Sequence, residues 1–193
     1  MSLLGLKLQV SHYSCFSRRA SKLNIQLMKL KKKNKNPTDL VIDSTGLKIF
    51  GEGEWKMRTH GKQKRRTWRK YHVSVNPDTH EVTAVELTEA NVHDCTVLST
   101  LLSTQKSIGN IYADGAYSFK QNFDAIADKG GKPFIPVRSG TCIVKEAPSN
   151  GEILRNQLLK DIWAAGGRSS WKKTSGYHQR SLVETHMFRL KTI

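Results

Sequence analysis

Three acidic residues stand at nearly even spacing along this chain: Asp43, Asp114 and Glu184. Asp43 follows the short apolar run Leu40–Ile42 in DLVIDSTGLKIF, and Asp114 follows Ile108–Ala113 in IGNIYADGAYS. Both read as short buried strands that deliver an acid at their end. Glu184 lies in YHQRSLVETHMFRLK, residues 177–191, a polar and basic stretch that reads as a helix beginning near Ser175. At about 100° per residue, Tyr177, Arg180, Glu184 and Lys191 fall within an arc of roughly 60° on such a helix. A lone carboxylate would then share one stripe with two cations and a tyrosine.

If the two strands are neighbours, both aspartates emerge at the same edge of a sheet, and a helix packed there adds the third acid. Three carboxylates at close range repel and raise each other's pKa. Divalent cations relieve that repulsion, and Mg²⁺ favours a few hard oxygen ligands while keeping positions for water and phosphate. Two such ions about 4 Å apart activate an attacking oxygen and stabilise a leaving one. That is chemistry for cutting or joining a phosphodiester backbone. Spacing alone leaves plainer alternatives open. An Asp at a strand end is commonly a cap or turn residue. Glu184 also stands four residues after Arg180, the spacing of an ordinary surface ion pair. The other acids arrange themselves less well: Glu52 and Glu54 lie in a polar loop, and Asp124, Asp128 and Glu152 read as helix surface.

The elements that must position these acids follow from pattern. RKYHVSVN alternates with Tyr71, Val73 and Val75 on one face, PDTH supplies a turn, and EVTAVELTE is a second strand, together an antiparallel hairpin. NVHDCTVLSTLLST predicts a helix capped by Asn91 or Asp94. FKQNFDAIADKGG predicts a helix with a glycine stop, KPFIPVR an edge strand with two prolines, and residues 152–164 a further helix. AAGGRSS reads as a loop. The order strand, strand, strand, helix, strand, helix, strand, helix, helix predicts an α/β layer arrangement around a mixed sheet.

Charge narrows the partners. Thirty-two Lys and Arg against sixteen Asp and Glu give +16 over 193 residues, which favours a polyanion, most often nucleic acid. Residues 56–72, KMRTHGKQKRRTWRKYH, hold eight Lys/Arg and no acid, with Trp68 and Tyr71 interleaved. Such a segment suits the DNA backbone and unpaired bases, and Lys62, Lys64, Arg65, Arg66 and Arg69 are its candidate contacts. The plainer reading is a solvated loop with Trp68 tucked into the core. Cys15, Cys95 and Cys142 fit neither a disulfide framework nor a paired zinc motif, and no histidine has zinc spacing with them. No apolar run approaches the ~20 residues that cross a bilayer, so the expected setting is a reducing cytoplasm without membrane contact. Residues 1–36 hold one short helical pattern around Phe16–Leu23 and a lysine-rich run, and Asn36-Pro37 reads as a boundary.

Taken together, LVIDSTGLKIFG, YADGAYS and YHQRSLVETHMFRLK resemble the three catalytic segments of DDE transposases from bacterial insertion sequences. The likeness is strongest to the insertion-sequence family numbered five. The helical signature of that group, Tyr-x₂-Arg-x₃-Glu-x₆-Lys, is matched at Tyr177, Arg180, Glu184 and Lys191. The resemblance implies a ribonuclease H-like mixed sheet flanked by helices. It implies Asp43, Asp114 and Glu184 as catalytic residues and ligands of two Mg²⁺ ions, with Mn²⁺ as a substitute. It implies that Tyr177, Arg180 and Lys191 support the site or hold DNA. The partners would be transposon-end and target DNA in the nucleoid, with a homo-oligomer formed when two ends are paired. Cleavage would free a 3′-hydroxyl that attacks target DNA. Members usually carry an N-terminal DNA-recognition region and continue past the Glu helix. The expectation is therefore a truncated copy, with a partial N-terminal segment and basic linker over 1–36 and a catalytic domain over 37–193. The alternatives are an inactive DNA-binding remnant and a ribonuclease H-like nuclease that joins no strands.

Overall fold

In the computed structural model the described residues are 12–20, 22, 37–50 and 67–192. The chain divides into two compact units, Met1–Lys33 and Asn34–Ile193. The described part of the first unit is essentially one helix, α1 (Tyr13–Ala20), with Arg18 and Arg19 in its last turn. Cations there complement the partial negative charge of a helix C-terminus. Lys62, Lys64, Arg65 and Arg66 lie outside the described residues, as does the lysine-rich run of the linker.

The second unit is built on a five-stranded sheet in the order β3-β2-β1-β4-β5. Its strands are β1 (Thr38–Phe50), β2 (Thr67–Val75), β3 (Val82–Glu89), β4 (Ile108–Tyr112) and β5 (Lys132–Phe134). β1 to β3 pair antiparallel, whereas β1, β4 and β5 run parallel. The central strand β1 carries the unbroken apolar run Leu40–Ile42, because both faces of the sheet are covered there. Leu40 and Ile42 enter one core with Leu98, Leu101, Ile111, Phe123 and Ile126, under the helices α2 (Leu98–Ser103), α3 (Lys120–Ala127) and α4 (Asn150–Ala164). Val41 enters a second core with Val73, Val75, Tyr112, Val183 and Met187, under α6 (Ser181–Thr192). A short helix α5 (Arg168–Thr174) precedes α6.

Local chemistry explains the joints. Between β2 and β3 the Asn76 side chain accepts the backbone N–H of Asp78 at 2.8 Å and of Thr79 at 3.2 Å, an Asx turn. A full capping box opens α4: Ser149 accepts from the Glu152 N–H, and Glu152 accepts from the Ser149 N–H. Glu152 therefore caps a helix and pairs with Lys120 at 3.0 Å rather than standing as plain surface, and Asp124 accepts from Ser149 Oγ at 2.6 Å. The first residues of α4 press against α3 so closely that a Cβ on Gly151 would lie 2.3 Å from the Asp124 nitrogen.

Four expectations about the elements need correction. Asp43 does not end its strand, because β1 runs on to Phe50. What ends near it is the parallel ladder with β4, last paired at Val41–Tyr112, while the antiparallel ladder with β2 carries β1 onward. Neither Asn91 nor Asp94 caps a helix with its side chain: Asp94 opens a 3-10 turn, Asp94–Thr96, and its carboxylate pairs with Lys70 at 3.0 Å. Part of AAGGRSS is helical, since α5 begins at Arg168 and seats the buried Trp171 in the core. The last helical segment is broken. Tyr177–Arg180 is a 3-10 turn entered through Gly176 in the left-handed region (φ 82°), and α6 begins only at Ser181. Tyr177 and Arg180 thus precede the α-helix that carries Glu184 and Lys191.

The β1–β4 register, which sets the two aspartates side by side, has its own clamp. Asp39 accepts from the Asn110 backbone N–H at 2.7 Å and from its side-chain amide at 2.8 Å, where the ladder register shifts between Thr38 and Leu40. Asp39→Ala leaves the part-buried Asn110 donors without this charged partner, and equilibrium urea unfolding should show a loss of about 1–3 kcal/mol.

Candidate active site

Each strand brings its acid to the same end of the parallel ladder by a different local device. Asp43 is paired across the ladder with Val73, a residue of the core beneath α6, so its side chain shares the α6 face of the sheet. Its Oδ1 accepts the Ser44 N–H at 2.8 Å, which fixes the carboxylate close to the backbone. Asp114 stands two residues beyond β4 and caps the 3-10 turn Gly115–Tyr117, accepting the Ala116 N–H at 2.8 Å.

Arg180 joins what the chain separates. Its Nη1 donates to Asp43 Oδ2 at 2.9 Å, and its Nη2 donates to Glu184 Oε1. The surface ion pair that spacing allowed is therefore present, and the same guanidinium reaches a carboxylate 137 residues away in sequence. The Asp43 side chain is only 16% exposed and that of Arg180 24%, against 54% for Glu184, so the Asp43 arm is the more shielded of the two. Burial raises the pKa of Asp43. The Ser44 N–H and Arg180 pull it down, and the negative charges of Asp114 and Glu184 push it up again. Burial works against the charge of Arg180, but Asp43, Tyr177, Glu184 and Asp114 outweigh it and raise the pKa. Asp114 and Glu184 thus both act on the Asp43 carboxylate.

An aromatic ladder holds the residue that starts the 3-10 turn. Tyr112 stacks on Phe134 (4.8 Å between centroids), Phe134 on Trp171 (6.5 Å), and Trp171 meets Tyr177 (5.7 Å). The Lys172 ammonium lies over the Tyr177 ring at 5.2 Å. Tyr177 is buried, and its pKa is pushed up to about 12, chiefly by that burial, so it is a neutral phenol at physiological pH. Packing is its visible task. Lys191 Nζ donates to Thr45 Oγ1 at 2.5 Å, which ties the last turn of α6 to β1 two residues beyond Asp43. Arg69 pairs with Glu89 across β2 and β3 at 2.8 Å, and Trp68 is partly exposed.

Beside the acids opens a pocket of about 590 Å³. Asp114 and Arg180 stand on its wall together with Arg138, Arg168, Lys172 and Tyr177. Arg138 lies over the Phe119 ring at 4.2 Å, which holds its guanidinium in place. Sequence reasoning passed over these three cations. RSSWKK, acid-free from Arg168 to Lys173, was the available signal; Arg138, alone after β5, gave none.

Among the described residues no group of three or more His, Cys, Asp and Glu side chains is gathered so as to hold a metal ion. The donors at this place are nonetheless hard carboxylate oxygens, which suit Mg²⁺ or Mn²⁺. Two of the three already share one cation, the guanidinium of Arg180. The chemistry of the donor set fits a divalent ion.

Comparison with known proteins agrees with the geometry. A family described as "Transposase DDE domain" matches residues 34–193, and a second family of the same description matches residues 1–52. No solved structure matches the chain significantly. The mixed five-stranded sheet with flanking helices is consistent with the ribonuclease H-like fold of DDE transposases, proteins that act on DNA and generally use divalent metal ions. No described helix is long and apolar enough to cross a membrane. By a match that takes in the whole sheet and all three acids, this chain belongs to the DDE transposase-domain family.

Proposed function

We propose that this chain catalyses DNA transposition of the kind used by insertion sequences of the family numbered five. It would cleave at transposon ends and transfer the freed 3′-hydroxyl to target DNA. The observation that carries the reading is the Arg180 bridge between Asp43 and Glu184, with Asp114 close enough to perturb Asp43 and a cationic pocket alongside. Asp43, Asp114 and Glu184 would hold two Mg²⁺ ions, or Mn²⁺ in their place. When bound, those ions would supply activation of the attacking oxygen and stabilisation of the leaving one.

The remaining work falls to the protein. Arg180 keeps the acids paired and, with Arg138, Arg168 and Lys172, receives the phosphates of a strand laid in the pocket. Tyr177, neutral and packed, gives this wall its rigidity. Lys191 fixes α6 against β1, so that Glu184 keeps its position relative to Asp43. Arg69 and the segment carrying Lys62, Lys64, Arg65 and Arg66 would extend the contact along the DNA backbone. The domain from residue 37 would carry this chemistry, with copies paired when two ends are brought together in the nucleoid.

Two measurements test this reading. Asp43→Asn should lower Mg²⁺-dependent cleavage of end-containing DNA by more than about a hundredfold, since changing even the neighbours of metal ligands costs about 10–100-fold. DNA affinity should stay nearly unchanged; equal cleavage by the variant would remove Asp43 from the site. Cleaved but unjoined products would mark a nuclease, and binding without cleavage by the wild type a remnant. Replacing Arg138, Arg168 and Lys172 together by Ala should flatten the plot of log affinity against log salt by about 2–3, as expected for losing that many phosphate contacts. An unchanged slope would exclude the pocket from DNA binding.

A further inference from the structure

At position 119 an aromatic ring stands where neither helix capping nor the core calls for one. Phe119 occupies the residue before α3, where Ser, Thr, Asp or Asn would cap the helix, and its side chain makes no capping hydrogen bond. The ring is also 38% exposed, unlike that of Phe123 one turn further on, which is wholly buried. Phe119 instead lies under Arg138, whose guanidinium carbon is 4.2 Å from the ring centroid.

The two residues meet at one packed corner beside Asp114. From Asp114 to Phe119 the chain is held by its own hydrogen bonds. The Asp114 carboxylate accepts the Ala116 N–H at 2.8 Å, and its carbonyl accepts the Tyr117 N–H at 3.2 Å. The Tyr117 carbonyl in turn accepts the Phe119 N–H at 2.8 Å and the Asn122 side-chain amide at 2.9 Å. Arg138 follows the buried run Ile135, Pro136 and Val137, and its carbonyl accepts the Thr141 hydroxyl at 2.8 Å. The two segments are in close contact, since a Cβ on Gly115 would lie 3.2 Å from the Pro136 carbonyl oxygen. Asp114 and Arg138 therefore reach the same pocket from segments packed on each other, and Phe119 joins them a second time through its ring.

An exposed arginine has many rotamers, and ordering it weakens whatever binding requires that order. An aromatic ring holds the charge through its π face, which leaves N–H donors for oxygen acceptors. We propose that Phe119 is a positioning residue that presents Arg138, already ordered, to a DNA phosphate at the Asp114 side of the pocket. The net charge of +16 favours such a polyanion. The inference rests on the reading of this pocket as the place where a DNA strand lies.

The test measures the affinity of the full chain for a duplex of mixed sequence, because phosphate contact does not depend on sequence. It compares the wild type with Phe119→Leu, Phe119→Tyr, Arg138→Ala and the double variant F119L/R138A, each also followed by thermal unfolding. Leucine keeps an apolar side chain and removes no cap, so the melting temperature of Phe119→Leu should stay near that of the wild type. Its DNA affinity should fall about two- to fivefold, as expected for losing an exposed cation–π contact. Phe119→Tyr keeps the ring and should keep the affinity. Arg138→Ala should flatten the plot of log affinity against log salt by about 1, and in that background Phe119→Leu should cause no further loss. Wild-type affinity in Phe119→Leu, loss of affinity in Phe119→Tyr, or an equal Phe119→Leu loss with and without Arg138 overturns the positioning role while the pocket reading stands. Unchanged affinity and salt slope in Arg138→Ala itself takes Arg138 out of the DNA contact and the inference with it.

Discussion

Everything at this site depends on one electrostatic constraint: carboxylates brought together out of water must have a cation between them. Two unit charges 4 Å apart interact by about 4 kcal/mol at an effective dielectric of 20, and withdrawal from solvent adds to the penalty. Asp43 shows both effects, since burial and its acidic neighbours each raise its pKa. Arg180 answers the constraint with a planar fork that reaches two carboxylates at once. A lysine, a point charge on a flexible stem, would not bridge them in the same way. The 3-10 turn Tyr177–Arg180 and the aromatic ladder behind it exist, in this sense, to deliver one guanidinium.

The sheet meets the same constraint from the other side. Its central strand changes partner type along its length, parallel to β4 up to Val41 and antiparallel to β2 as far as Phe50. Asp43 sits just past the last parallel pair. Its side chain need not enter either apolar core, and the continuing antiparallel ladder still holds its backbone. Alternation then sends Ser44 to the opposite face, where its ladder partner is the buried His72.

Much of this was legible in the sequence where the signal was local. The apolar run Leu40–Ile42, the alternation in RKYHVSVN and the glycines after α3 carry their structure in their own periodicity. The three acids and the Tyr-Arg-Glu-Lys spacing were readable as a candidate constellation. What was not legible depended on tertiary pairing. That β1 runs seven residues past Asp43 is decided by β2, a partner strand no local pattern names. Asp94 looked like a helix cap because Asp favours caps, yet Lys70, 24 residues earlier, claims its carboxylate. The break between Tyr177 and Ser181 was hidden because a 3-10 turn and an α-helix share the i, i+3 spacing, and only the left-handed Gly176 separates them. Arg138, Arg168 and Lys172 share no local pattern, and only the fold sets them around one opening.

The two halves of the site are not independent, because Arg180 belongs to both. It bridges the acids, and it also stands on the wall of the cationic pocket. A guanidinium has five N–H donors, and the two carboxylates engage two of its nitrogens. Its remaining donors can meet a phosphate without breaking the bridge, but its charge is shared between them. A phosphate arriving in the pocket would draw on the positive charge that neutralises Asp43 and Glu184, leaving those acids more in need of another cation. Under the proposed function, DNA in the pocket and divalent ions at the acids would therefore favour each other's binding, with linkage carried by a single side chain.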